Sequence, residues 1–261
     1  MTVPRIACTH LAGADHLPLL VVGPSLGTSV AALWTSAAQL LGETHCVVGW
    51  DLPGHGASVS LRAPFTIADV GKAVAATIES EWGAGTFAYA GVSIGGAVGL
   101  HLLLDAPSRV SAAALICTGA VIGAAADWRA RAQRVRSEGT AAMLQMARQR
   151  WFAPGFDERE PQRVTALLES LRNADAESYA MCCEALAEFD VRDRLARIKV
   201  PVLAIAGSCD VATPPKSLLE LGTRVRDGTF IELPCAAHLP PAERPRRIAQ
   251  LVTSLLERAP R

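Results

Sequence analysis

Short apolar runs rich in β-formers alternate along this chain with longer segments of helical periodicity, and that alternation leaves few folds open. The strand-like runs are Leu19 to Val22, Cys46 to Trp50, Thr86 to Gly91, Ala112 to Cys117, Val202 to Ala206 and Thr229 to Leu233. Between them the spacing predicts helices over Val30 to Leu41, Ile67 to Trp82, Ile94 to Asp105 and Pro215 to Val225, with a last one over Pro245 to Arg258. Strands joined through helices pair in parallel, and their near-continuous apolar character means that helices cover both faces. The expected class is α/β, with a mostly parallel, doubly wound sheet. At 261 residues, 50% of them hydrophobic and 19% charged, the chain can bury one such core with room for an insertion.

The insertion is visible. From about Gly123 to Arg197 strand signals vanish, and Arg, Gln, Glu, Met and Ala dominate in Trp128 to Ser137, Thr140 to Trp151, Arg159 to Leu171 and Asp175 to Phe189. The expected organisation is a core over residues 1–122 and 197–261 and a helical cap over residues 123–196. An insertion that follows a strand end is well placed to cover a site at the C-terminal edge of the sheet.

Chemistry enters at Gly91-Val92-Ser93-Ile94-Gly95. By chance a G-x-S-x-G string occurs in about one chain in ten of this length. Here it lies between a β-run and an apolar helical run, which makes it a nucleophile elbow with the serine hydroxyl exposed on a sharp turn. A serine needs a base, and the base needs an orienting acid. Asp210 follows the run ending at Gly207, and His238 follows the run ending at Leu233. Ser93, Asp210 and His238 are therefore the expected triad. Asp190 and Asp193 are runner-up acids but follow no strand, while His55 is a loop histidine less easily set aside than His10, His16, His45 and His101. An oxyanion needs two donors. The expected ones are the backbone N–H of Ile94, after the nucleophile, and that of Leu26, in the loop Gly23-Pro24-Ser25-Leu26-Gly27-Thr28.

With these motifs, and with Asp51-Leu52-Pro53-Gly54-His55-Gly56-Ala57-Ser58 and Ala236-Ala237-His238, the chain resembles the α/β-hydrolase superfamily along nearly its whole length. Within it, the chain looks most like the 3-oxoadipate enol-lactonases. That likeness rests on Ser25-Leu26-Gly27-Thr28, Trp128 with Arg131, Arg150-Trp151-Phe152 followed by Pro154 and Phe156, the stretch Tyr179 to Leu186, and Ile205 to Pro215. Many relatives carry His or Asn where this chain has Pro24, so the support of the oxyanion loop is expected to differ here. The resemblance implies hydrolysis of an enol ester in a five-membered ring through an acyl-enzyme, with no cofactor and no metal. It also implies a small-molecule lactone substrate whose free carboxylate must be held. Arg131 is the expected cation, three residues after Trp128 and so on the same helical face, with Trp128 as an apolar wall. Carboxylesterases, carbon–carbon bond hydrolases and cofactor-free perhydrolases would share the core motifs, and a ligand receptor is a remote alternative.

Formal charge is zero, so nothing favours nucleic acid or an anionic membrane as a partner. No run reads as a membrane span. Met1-Thr2-Val3-Pro4-Arg5 lacks a charged-then-apolar signal peptide, which makes the cytoplasm the expected compartment. The seven cysteines form no C-x-x-C pair and read as buried free thiols, with Cys209 and Cys235 near the expected catalytic residues. Nothing in the chain specifies an oligomeric state.

Overall fold

Seven strands form one sheet in the order β1-β3-β2-β4-β5-β6-β7. The computed structural model describes residues 4–258, so the first three residues of the signal-peptide argument lie outside the described residues. The strands are β1 (Cys8–Ala12), β2 (Leu19–Gly23), β3 (Cys46–Trp50), β4 (Phe87–Val92), β5 (Val110–Ile116), β6 (Val202–Gly207) and β7 (Gly228–Leu233). All neighbours pair in parallel except β1, which runs antiparallel to β3 at the edge. Six of the seven match the sequence reading within two residues. β1 was not expected. Its residues Cys-Thr-His-Leu-Ala show no clean alternation, and it is a strand only because β3 offers it an edge.

Helices α1 (Val30–Leu41), α2 (Ile67–Trp82) and α3 (Ile94–Asp105) connect the first parallel strands and have the expected bounds. α2 begins in a capping box, where the Thr66 hydroxyl accepts from the Asp69 N–H and the Asp69 carboxylate accepts from the Thr66 N–H. α3 is apolar almost all round and is buried against the sheet, with Leu100, Ala97 and Val98 fully enclosed. Trp34, Trp50, Phe87 and Tyr89 are the largest fully buried side chains of the core.

Between β5 and β6 the described residues are helical, over α4 (Ala125–Glu138), α5 (Leu144–Trp151), α6 (Phe156–Arg159), α7 (Pro161–Asn173) and α8 (Ala176–Ala187), with short 3-10 turns at Thr140–Met143 and Arg192–Arg197. A single antiparallel bridge, Val121 to Asp190, closes the neck of this excursion, and the Val191 N–H donates to Ala120 O at 2.9 Å. The chain finishes with α9 (Pro215–Arg224), the one-turn α10 (Pro240–Glu243) and α11 (Pro245–Leu256).

The strand order assembles the site. β2 and β4 are neighbours with Gly23 opposite Gly91, so the loop after β2 lies beside the turn after β4. β5, β6 and β7 follow in order, so the loops bearing Asp210 and His238 emerge from the same edge of the sheet.

Candidate active site

Ser93 sits between β4 and α3 with φ of 56° and ψ of −118°, a left-handed conformation that non-glycine residues adopt at a cost of order 1–3 kcal/mol. The surroundings hold it there. Its N–H donates to Ile116 O at 2.9 Å, and its carbonyl accepts from the Thr118 hydroxyl at 2.8 Å. Strand and helix cross so closely that a Cβ on Gly95 would lie 2.5 Å from Pro24 O, and one on Gly91 would strike the Gly95 carbonyl. Glycine is required at both positions because backbone atoms, which cannot swing aside, fill the space.

Asp210 accepts four hydrogen bonds. Oδ1 takes the Ala212 N–H at 2.7 Å and the Thr213 N–H at 3.1 Å, and Oδ2 takes the Thr213 hydroxyl at 2.7 Å and His238 Nδ1 at 2.9 Å. Burial pushes the Asp210 carboxyl up, but the His238 charge and these bonds outweigh it and hold the group below the usual carboxylate range. That bond makes Nδ1 the donor and leaves Nε2 free to take a proton. Ser93 and His238 line one pocket, and no hydrogen bond joins their side chains in this arrangement among the described residues. Such contacts commonly tighten only when substrate binds.

Because its folded pKa is depressed, the Asp210 carboxylate contributes stability above the unfolded-state carboxylate pKa of about 3.9 and loses it as pH falls through the lower folded value. Acid unfolding of Asp210→Asn, followed by circular dichroism, should therefore depend less on pH below about pH 4 than wild type. An identical pH dependence would show that the pairing contributes nothing to folding.

The loop after β2 is held in two ways that replace the polar side chain missing at Pro24. The Pro24 carbonyl accepts from the Gly95 N–H at 3.0 Å. The Thr28 hydroxyl accepts from the Ser25 N–H at 3.1 Å and donates to Ser25 O at 2.9 Å. Gly27, at φ of 86°, turns the chain beyond Leu26. Among the described residues the N–H groups of Leu26 and Ile94 have no acceptor, the condition that two oxyanion donors require.

The pocket encloses about 740 Å³ of non-atom space, part of it open to solvent, and residues of the excursion such as Trp128, Met146 and Trp151 line it. Trp128 lines it half-buried, with Nε1 donating to Ile122 O at 2.5 Å. The Arg131 guanidinium lies over the Trp128 ring, 4.5 Å from its centre. Of its helix neighbours, Arg134 pairs with Glu138 and Arg136 with Glu177 and Glu184, while Arg129 does not line the pocket. Arg150 also lines the pocket, with one N–H on Val211 O at 3.3 Å. Burial pulls the Arg150 pKa down, and the like charge of Arg131 pulls it further. Neither arginine forms a salt bridge among the described residues. Two cations thus face one cleft together with a single lining carboxylate, Asp127, which forms a salt bridge with neither.

Asp190 pairs with Arg192 on the surface at the neck, away from the pocket. His55 is buried, bonded through Nδ1 to Pro53 O at 2.9 Å and stacked on Tyr179, a structural environment. Arg150 and Cys117 were not foreseen as site residues. Arg150 carried only the signal of its motif, and Cys117, at φ of 46°, becomes a neighbour of Asp210 and His238 only through the strand order. Cys117, Asp210 and His238 offer donor atoms within 4.8 Å of one another, as a metal site would. Those atoms are already engaged: burial holds the Cys117 thiol well above its usual pKa, and its S–H donates to Ala237 O at 3.4 Å.

Residues 18–245 match the model of the alpha/beta hydrolase fold family. The chain belongs to the α/β-hydrolase family. Its similarity to other members extends over almost its full length. It is 37% identical to 3-oxoadipate enol-lactonase 2 of Acinetobacter baylyi, over 94% of this chain and 91% of that protein. It is 29% identical to 3-oxoadipate enol-lactonase 1 of the same organism, over the same shares of the two chains. Among solved structures, this α/β-hydrolase superposes on the enol-lactonase from Burkholderia xenovorans with a TM-score of 0.91 at 30% identity, covering 97% of this chain and 96% of that one. No described helix of this hydrolase is long and apolar enough to cross a membrane.

Proposed function

We propose that this chain is a carboxylic ester hydrolase that opens 3-oxoadipate enol-lactone to 3-oxoadipate. The observation that carries the reading is the pairing, in one pocket, of Ser93 and His238 with two arginines, Arg131 and Arg150, that have no carboxylate partner. A neutral ester has no use for that charge, whereas an ester bearing a free carboxylate does. The enol-lactonases similar to this chain point the same way.

In this mechanism His238 Nε2 takes the proton of Ser93 Oγ as the oxygen attacks the lactone carbonyl. The N–H groups of Leu26 and Ile94 receive the oxyanion, and Asp210 holds the imidazole and stabilises its charged form. Collapse breaks the ring C–O bond. The leaving enolate stays tethered within the acyl group, takes up a proton and ketonises, which makes ring opening hard to reverse. Water, deprotonated by His238, then releases the acid and regenerates Ser93. Residues 123–196 act as a cap that roofs the acyl group and selects it, with Trp128 as an apolar wall.

The deciding experiment assays the purified chain on the enol-lactone beside a panel of uncharged esters and lactones. The expected kcat/KM for the enol-lactone exceeds every uncharged substrate by about 10²-fold or more, the scale of one well-placed ion pair. Equal or better turnover of simple esters would replace this reading with a general carboxylesterase.

A further inference from the structure

Glu243, at the end of α10, is a buried carboxylate that the chemistry above does not use. Its two oxygens face opposite parts of the molecule. Oε1 accepts from the Ala153 N–H at 2.6 Å, and Oε2 accepts from the Ala237 N–H at 2.7 Å. Ala153 lies in the helical excursion just beyond α5, and Ala237 immediately precedes His238. A second bond runs alongside, from the His238 N–H to Trp151 O at 3.2 Å. On the core side the same loop is held by the Cys209 N–H on Ala236 O at 2.9 Å and by the Cys117 thiol on Ala237 O. The segment 236–238 is thus gripped from both sides, and from the excursion it is held by one backbone bond at His238 and by the Glu243 carboxylate at Ala237.

We propose that Glu243 is a positioning residue, a clasp that couples residues 151–153 of the excursion to the loop that aims His238. An ionised carboxylate is suited to this because it is an acceptor at both ends. An amide in its place would turn an NH₂ toward one of the two N–H groups, and an apolar side chain would leave both of them buried without a partner. Burial, the largest effect, pushes the Glu243 carboxyl above the usual carboxylate range, and the two short backbone N–H bonds with the nearby Arg244 charge oppose that in part. Displacement of 151–153 is therefore transmitted to the base, and small misplacements of a catalytic group carry large penalties.

The inference rests on reading His238 as the base, not on the identity of the lactone. The test variant is Glu243→Gln, with kcat and KM measured on whichever ester the wild-type chain hydrolyses fastest. A second readout needs no substrate: the proton NMR signal of His238 Nδ1–H bonded to Asp210. Expected are a kcat lowered about 10- to 100-fold, a KM within about twofold, cooperative melting, and a His238 resonance that broadens or disappears. Wild-type kcat with an unchanged resonance would overturn the proposal. Should Glu243→Gln fail to fold, Ala153→Pro deletes only the donor on the excursion side, and a folded Ala153→Pro chain with wild-type kcat would be equally fatal. In the wild-type chain the amides of Ala153 and Ala237 should exchange with solvent together, and independent exchange of the two would reject the coupling. Loss of the clasp signature in Glu243→Gln while His238→Ala retains turnover would instead count against the base assignment alone.

Discussion

Ser93→Ala should lower turnover by on the order of 10⁴- to 10⁶-fold while leaving the fold intact. The serine is nearly buried and its hydroxyl is not part of any hydrogen bond that holds the elbow, which is made by its backbone and by Gly91, Gly95 and Thr118. Removing one oxygen therefore deletes the attacking group and little else. His238→Ala should fall in the same range because an alcohol without a base is a poor nucleophile. Asp210→Asn should cost somewhat less, and the two single losses at Ser93 and His238 should not add in the double variant, since the residues act as a unit. Rapid-quench kinetics on an activated ester provides the check, with a burst of acyl-enzyme in wild type and none in Ser93→Ala. Near-normal turnover in Ser93→Ala would remove the covalent mechanism.

The second large effect is expected at the arginine pair. Arg131→Met should reduce kcat/KM for the carboxylate-bearing lactone by about 30- to 1,000-fold, equivalent to roughly 2 to 4 kcal/mol, with little change for an uncharged lactone or ester. Methionine keeps an unbranched side chain but removes the guanidinium that lies over Trp128 and reaches Met146 Sδ, and the uncharged substrate controls for those lost contacts. Arg150→Met should act in the same direction. Repulsion between the two guanidiniums is mutual, so either variant relieves it equally and the two penalties should be similar in size. Steady-state kinetics on the matched pair of substrates measures both. Equal losses on charged and uncharged substrates would assign the arginines to the scaffold of the pocket.

The class and the parallel core were written in the chain. Six strands are short, largely apolar and bounded by helical patterns; the inner ones are buried on both faces, and β7, partly exposed at the edge, is made parallel by its helical connection. Ser93, Asp210 and His238 were equally legible as residues, since each follows a strand and side chains at strand ends are placed by the sheet rather than by their own neighbours. β1 was not legible, because an edge strand with one half-exposed face needs little apolar pattern and depends on the partner that β3 supplies. Arg131 could be placed on a face of its helix from spacing alone, but which arginines of α4 find carboxylates and which one turns into the cleft depends on Glu177 and Glu184 from another helix.

Local sequence thus determined what repeats at short range, namely strands, helices and the strand-to-helix turn at Ser93. Only the tertiary structure decided which distant groups meet. Arg150 joins Arg131, Cys117 lies behind Asp210, and Glu243 bonds Ala153 and Ala237 across 90 and 6 residues of chain. The physical reason is that burial patterning acts within a segment, whereas the partner of a buried charge or polar group is chosen by whatever the packed elements bring within hydrogen-bonding reach.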